Sequence, residues 1–342
     1  MRYPARTVAL LAGLALAGPV VPLAARPASA SSDPVEDARE AARRVPFTAR
    51  LEVRWVDQAG LHTAELGVRA VGGHIRVQSP SGVPGVNAAA GTGLGEGSTL
   101  VLQASAVSPV GGPGDLLAPA LERKYDVERT AGPRIAGRDT DLFILRAGGQ
   151  VREQLAIDPD TGLVLRREVF GPEGRPVRIL TVLQLDTAPV PEPSDAGGTT
   201  YQQPRSVRVG HLPSAYRGPD GLAGGYRRVA AYRNGRLVHL LYSDGLHGMS
   251  LFSQPGTLAG GTLPKGGQPV QVGTATGVHY TWPGGDVVTW EDGAVVHTLV
   301  GDGTSADLLA AARSLPRPPR PSVTSRLRGT ARELAELVSG GR

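Results

Sequence analysis

The chain has 342 residues, a formal net charge of +5 and no cysteine. The missing cysteine excludes disulfides, thiol catalysis, thiolate metal sites and anchorage through a lipidated N-terminal cysteine. Arg2, Arg6 and Arg26 account for part of the positive charge at the extreme N-terminus, leaving the remainder close to +2; only Lys124 and Lys265 are lysines. No basic stripe with interleaved aromatics is present, so a nucleic acid is not expected as a partner.

Residues 1–30 read as a secretory signal peptide. Arg2 and Arg6 make a positive start, Thr7 to Gly18 is an uncharged apolar run, and Ala28-Ser29-Ala30 is a small-x-small cleavage site. The apolar run is too short to span a bilayer, so the mature chain is expected in the periplasm or another extracytoplasmic space of the cell envelope. Roughly 310 residues remain, enough for two ordinary domains. With no cysteine, their stability is expected to come from burial alone.

Pro34–Val45 predicts a helix capped by Asp33, with Glu36 and Asp37 at its positive end and Pro46 as its stop. Phe47–Val56 alternates strictly. Phe47, Ala49, Leu51, Val53 and Trp55 fall on one face, and Thr48, Arg50, Glu52 and Arg54 on the other, the pattern of a half-buried antiparallel strand. Strands are expected near Leu61–Ala70 and His74–Gln78. Ser79–Pro113, dense in Gly, Pro, Ala and Ser, reads as loop around one strand, Thr99–Ala106. Asp115–Leu121 predicts a short helix. A meander follows, with strands at Asp141–Arg146, Val151–Ile157, Leu163–Phe170 and Val177–Leu185. Its turns are Asp158-Pro159-Asp160-Thr161-Gly162 and Gly171-Pro172-Glu173-Gly174. Seven or more strands against one helix predict a wide, curved antiparallel sheet over residues 31–188.

Residues 189–204 (PVPEPSDAGGTTYQQP) are a linker by composition. Strands are then expected near Ser206–Leu212, Tyr226–Tyr232, Arg236–Ser243, Met249–Ser253, Val270–Thr274, Gly277–Trp282, Asp286–Glu291 and Ala294–Val300. Asn234-Gly235 predicts a type I′ hairpin turn, since both residues tolerate positive φ. Thr304-Ser305-Ala306-Asp307 is a capping box opening a helix to about Arg313. Residues 205–315 thus form a second unit. Residues 316–342 hold a stiff Pro-rich spacer, Pro316–Pro321, and a final amphipathic helix, Arg326–Val338.

Catalytic signatures are sparse. The seven histidines have no metal-ligand spacing on a helix, and no GxSxG elbow exists. GTGLGEG (Gly91–Gly97) neither follows a strand into a helix nor carries Lys-Ser/Thr, so it is not a phosphate cradle. Asp158-Pro159-Asp160 reads as a solvated hairpin turn. Ser243, Asp244 and His247 lie too close in sequence for a nucleophile, base and orienter on a rigid scaffold. Asp244-Gly245 is instead expected to form a tight turn capped by Ser243 or Asp244. No enzyme, metal or cofactor is expected.

Three blocks of the second half carry a resemblance: HLPSAY (His211–Tyr216), VHLLYSDGLHGMSLF (Val238–Phe252) and VVHTLVGDGTSADLLAAARSLP (Val295–Pro316). They resemble the C-terminal domain of the RseB/MucB family of exported sigma-E regulators, with YSDG the specific part. IAGRDTDLFIL (Ile135–Leu145) and LAIDPDTGLVLRREVFGPEGRPV (Leu155–Val177) resemble the family's N-terminal domain more faintly. The resemblance implies an α+β fold: an N-terminal open antiparallel half-barrel with helices, of the LolA/LppX type, and a smaller C-terminal antiparallel sheet with a helix.

It also implies a function. Such a protein binds the outer segment of a membrane anti-sigma factor, limits its proteolysis and so restrains an envelope-stress sigma factor, with release by a lipid signal. The loop Tyr242, Ser243, Asp244, Gly245 and His247 is the expected partner contact, and a lipid or glycolipid a further ligand. The alternative is a lipid or lipoprotein carrier of the LolA/LppX type. The sequence leaves the oligomeric state open.

Overall fold

A computed structural model describes residues 33–71, 74–78, 121–188, 205–213, 216–258, 263 and 266–316. The expected signal peptide, the Gly-rich loop Ser79–Pro113, the linker 189–204 and the tail helix Arg326–Val338 lie outside them. Of the expected helix Asp115–Leu121, only Leu121 is described, and it opens a 3-10 turn, Leu121–Arg123.

Helix α1 (Pro34–Arg44) forms as its ends dictate. Asp33 Oδ1 accepts hydrogen bonds from the N–H groups of Val35 and Glu36. Acidic Glu36 and Asp37 sit in the first turn and Arg43 and Arg44 in the last, complementing the helix dipole. The strands that follow are β1 (Phe47–Asp57), β2 (Gly60–Val71), β3 (His74–Gln78), β4 (Asp126–Ala131), β5 (Asp141–Ala147), β6 (Gln150–Ile157), β7 (Val164–Phe170) and β8 (Pro176–Asp186). They form one open eight-stranded sheet in the order β3-β2-β1-β8-β7-β6-β5-β4, in keeping with a half-barrel. Every pairing is antiparallel.

The return of β8 to pair with β1 joins the opening hairpin to the meander. The alternation in β1 then sets the buried face: Phe47, Leu51, Val53 and Trp55 pack with Leu66, Val68 and Leu165 beneath Ala41 and Ala42 of α1. Strand β4 escaped the sequence reading because all six of its residues are exposed. It has no apolar period and is a strand only through edge pairing with β5. Asp158 is also unlike its expected solvated turn. It is buried, and its carboxylate accepts from Asp160 N, Thr161 Oγ1 and Arg138 Nη1.

The second sheet contains β9 (Arg205–Ser206), β10 (Gly221–Leu222), β11 (Tyr226–Asn234), β12 (Leu237–Ser243), β13 (Gly248–Pro255), β14 (Gln268–Val272), β15 (Ala275–Trp282), β16 (Gly285–Asp292) and β17 (Val295–Gly301). The order is β10-β11-β12-β13-β17-β16-β15-β14, with β9 also on β11. Among the described residues it has nine strands, two of them only two residues long. The strand expected over Ser206–Leu212 shrinks to β9 and a 3-10 turn, Val209–His211.

The hairpin turn is displaced by one residue. Asn234 pairs with Leu237, so Gly235 and Arg236 are the corners. Gly235 at φ +57° takes the first corner, as a II′ turn requires. Helix α2 (Ser305–Ser314) starts as predicted: Thr304 Oγ1 accepts from Asp307 N at 3.2 Å. Its Leu308, Ala311 and Ala312 cover Leu240, Tyr242, Leu251, Trp290 and Leu299.

Close approach of backbones pins this second core. A Cβ at Gly285 would lie 2.2 Å from the carbonyl oxygen of Gly301 on β17. Gly285→Ala is therefore expected to lose about 1–3 kcal/mol of stability through overpacking. Thermal unfolding followed by circular dichroism measures this, and an unchanged midpoint contradicts the β16–β17 contact.

Candidate functional site: a buried ionic seam between the sheets

The loop between β12 and β13 is built from its own polar groups. Ser243 Oγ accepts from Gly245 N at 3.1 Å, and Asp244 Oδ1 accepts from Leu246 N at 3.0 Å and His247 N at 2.7 Å. The tight turn expected at Asp244-Gly245 is present, with both residues capping it. Its location could not be read from sequence. Tyr242, Ser243, Asp244, Gly245 and His247 are all buried, and the loop contacts the first half through Asp244, Gly245 and His247.

There it meets groups projecting from the first half. Asp244 Oδ2 accepts from the hydroxyl of Tyr125 at 2.6 Å and from the ammonium of Lys124. Lys124 also donates to Gly224 O at 2.8 Å and lies over the rings of Tyr125 and Tyr226. Arg39 of α1 donates to Gly245 O at 3.1 Å. His247 Nε2 sits 2.8 Å from Glu153 on β6, and its Nδ1 is 4.0 Å from Asp244 Oδ2, an attraction of charges beyond hydrogen-bond range.

A second loop, following β17, enters beside it. Arg167 on β7 makes a two-pronged pair with Glu153 at 2.8 and 3.0 Å and also reaches Asp302 at 3.2 Å. Asp302 Oδ1 accepts from Gly248 N, tying the two loops together. Arg178 on β8 donates to the carbonyls of Asp302 and Gly303 and to Asp286 Oδ2 at 2.8 Å. The other oxygen of Asp286 accepts from His279, Thr281 and Ser305. Arg152 meets Asp307 at 2.7 Å toward the edge. The pattern is complementary: the first half offers Arg39, Lys124, Arg152, Arg167 and Arg178, and the second offers Asp244, Asp286, Asp302 and Asp307. Glu153 with His247 is the one reversed pair among those named.

Burial and partners fix the charges. Burial alone pushes the carboxyl of Asp244 up, but His247 and Lys124 hold it well below the usual carboxylate range. Glu153 is also lowered, because Arg167 and His247 outweigh its burial. Burial would push His247 down, yet Asp244 and Glu153 raise it to about 10. The imidazole therefore stays protonated at neutral pH and is a cation in this seam, not a general base. The tyrosine hydroxyls of Tyr125 and Tyr226 are pushed up, by burial first and Asp244 second, and remain neutral; that of Tyr125 donates to Asp244.

Sequence reasoning singled out the loop and missed the first-half residues that receive it. A signal existed. Arg167 and Arg178 interrupt inward-facing apolar columns, Leu165-Arg167-Val169 and Arg178-Leu180-Val182. A charge at such a position needs a buried counter-charge.

Beside α1 lies a second feature, a shallow apolar cleft lined by Ala42, Phe47, Leu51, Leu163, Leu165 and Leu180 among others. Among the described residues no helix is long and apolar enough to cross a membrane.

Two open antiparallel sheets held together by buried ion pairs define a two-part body. No family model and no curated protein matches the chain. Solved structures do. The Pseudomonas aeruginosa MucA/MucB complex is similar over 84% of this chain and 98% of that one, at 20% identity and TM-score 0.45. A crystal structure of MucB is similar over 84% and 97%, at 20% identity and TM-score 0.43. A putative outer membrane lipoprotein-sorting protein domain from Vibrio parahaemolyticus covers 46% of this chain and 94% of its own, at 12% identity and TM-score 0.19.

The seam predicts a defined pH response. His247 is raised from 6.5 to about 10, so its contribution is complete below pH 6.5 and lost as pH rises toward 10. Asp244 and Glu153 are lowered, so theirs is present above the ordinary carboxylate range and lost on acidification. Stability is expected to peak between about pH 5 and 6.5 and to fall on the alkaline side. His247→Gln should flatten that alkaline limb in thermal melts between pH 6 and 10. An unchanged slope contradicts the assignment.

Proposed function

We propose that this chain is an extracytoplasmic regulator that binds the outer segment of a membrane anti-sigma factor, limits that factor's proteolysis and so restrains an envelope-stress sigma factor. The observation that carries the reading is the position of the YSDGLHG block. The residues that most specifically resemble the RseB/MucB family are the joint of the two-sheet body. Residues 31–188 and 205–315 are its two units. The chain works by binding: Ser243 and Asp244 are committed to the turn, and His247 is held as a cation. The MucA/MucB complex among the structural neighbours is consistent with this partner class.

In this arrangement Asp244, Gly245 and His247 meet the first half, Ser243 caps the turn, and Tyr242 packs in the second core with its hydroxyl donating to Pro219 O. As partner contacts they belong to a state in which the two sheets have parted.

The reading predicts direct association. Isothermal titration of the full mature chain with the extracytoplasmic segment of the anti-sigma factor encoded in the same genome should give a dissociation constant in the micromolar range or tighter. Added segment should also survive longer against a site-specific protease. No heat and no protection at tens of micromolar contradicts the proposal.

A further inference from the structure

The ion pairs that join the two halves leave the second half with an unbalanced surface. Its described residues carry seven carboxylates, and four of them, Asp244, Asp286, Asp302 and Asp307, face cations of the first half. Asp220, Glu291 and Asp292 remain. The arginines are not neutralised in the same way. Seven of them fall between residues 205 and 236, a stretch in which Asp220 is the sole carboxylate. Asp220 pairs with Arg228, whose guanidinium also donates to the carbonyls of Gly218 and Pro219. Arg208, Arg217, Arg227, Arg233 and Arg236 are exposed, and among the described residues none of the five meets a carboxylate. The first half differs: exposed Arg50 faces Glu65, Arg54 faces Glu52 and Arg129 faces Asp141.

These five arginines follow one edge of the second sheet. Arg227 and Arg233 lie on β11, Arg236 lies in the turn that ends it, and Arg208 and Arg217 lie between β9 and β10. Strand β11 has nine residues, about 30 Å at roughly 3.3 Å per residue. Three strands, β12, β13 and β17, separate it from Glu291 and Asp292 on β16. At roughly 4.8 Å per strand that separation is about 19 Å, well beyond a Debye length of about 8 Å at physiological salt.

We propose that the β9–β10–β11 edge is a docking surface for the anionic phosphate headgroups of a phospholipid membrane. The proposal goes beyond the anti-sigma reading and does not rest on it. The planar guanidinium pairs with phosphate oxygens two at a time, which a point cation does not do. The cations are strung along about 30 Å of edge, which suits an array of phosphates and not one small anion. The backbone along β11 is already engaged: Arg228 N donates to Asp220 O, and Ala231 O accepts from Val207 N, beside the β9 and β10 pairings. An acidic peptide is thereby denied strand addition at these positions, and recognition is left to charge.

The test sediments the full mature chain with vesicles of phosphatidylcholine alone and of phosphatidylcholine mixed equally with phosphatidylglycerol. Binding is expected to the anionic vesicles only, and it should fall steeply as sodium chloride is raised. Each basic residue near an anionic surface contributes a factor of about five, so Arg227→Gln with Arg236→Gln should weaken binding about tenfold or more. Neither side chain has a hydrogen bond or ion pair among the described residues, so this variant is expected to fold as wild type. Arg50→Gln with Arg54→Gln removes the same charge from the first half and should bind as wild type does. Inorganic phosphate and chloride at equal ionic strength should displace the protein alike.

No binding to anionic vesicles, undiminished binding by the Arg227 and Arg236 variant, or an equal loss in the Arg50 and Arg54 variant overturns the proposal. Selective displacement by phosphate overturns it in favour of a discrete anion site. Tighter binding to polyglutamate than to vesicles overturns it in favour of an acidic polypeptide. No anti-sigma segment is present in this assay, so its failure leaves the capture of that partner to stand or fall separately.

Discussion

The structure depends on buried opposite charges meeting across two sheets that share no strand. Arg167 is the centre of this arrangement, held between Glu153 on its own sheet and Asp302 on the other. Ions taken out of water need their partners in good geometry, and removing one partner of a buried pair typically costs about 3–5 kcal/mol. Such groups specify one docking geometry because every other orientation strands a charge. Apolar contact alone would allow the sheets to slide. Here Arg178 finds Asp286 and two backbone carbonyls together, which only one relative placement provides.

Leu246 supplies what the ion pairs do not. Full burial of a leucine side chain contributes about 1.5–3 kcal/mol, and this one crosses from one half into the other. Around it the seam combines a non-directional contact with directional ones. That combination suits a joint that must close in one way and still be openable. The net gain from burying ions is modest, because desolvation offsets most of the attraction.

Much of the local structure was legible from residue pattern. Strict alternation located β1 and its buried face, Asp33 and Thr304 marked both helix starts, and glycine-containing turns bounded the meander strands. The failures have physical causes. Strand β4 has no apolar period, since it lies exposed at a sheet edge. The turn after β11 was misplaced by one residue because Gly235 alone supplies the positive φ, with Asn234 kept in the ladder. For the site, the YSDGLHG loop and its turn chemistry could be read, and its burial could not. That burial is decided by Glu153, Arg167 and Arg178, which are separated in sequence and come together only when β6, β7 and β8 pair.

The account stands on coupling between the sheets, and a double-mutant cycle on Arg178 and Asp286 measures it most directly. Arg178→Ala, Asp286→Ala and the double variant are compared by denaturant unfolding. The two side chains touch across the seam at 2.8 Å, so an interaction energy of about 1–3 kcal/mol is predicted. Additivity within about 0.5 kcal/mol would mean that the sheets are energetically independent, and would contradict the seam.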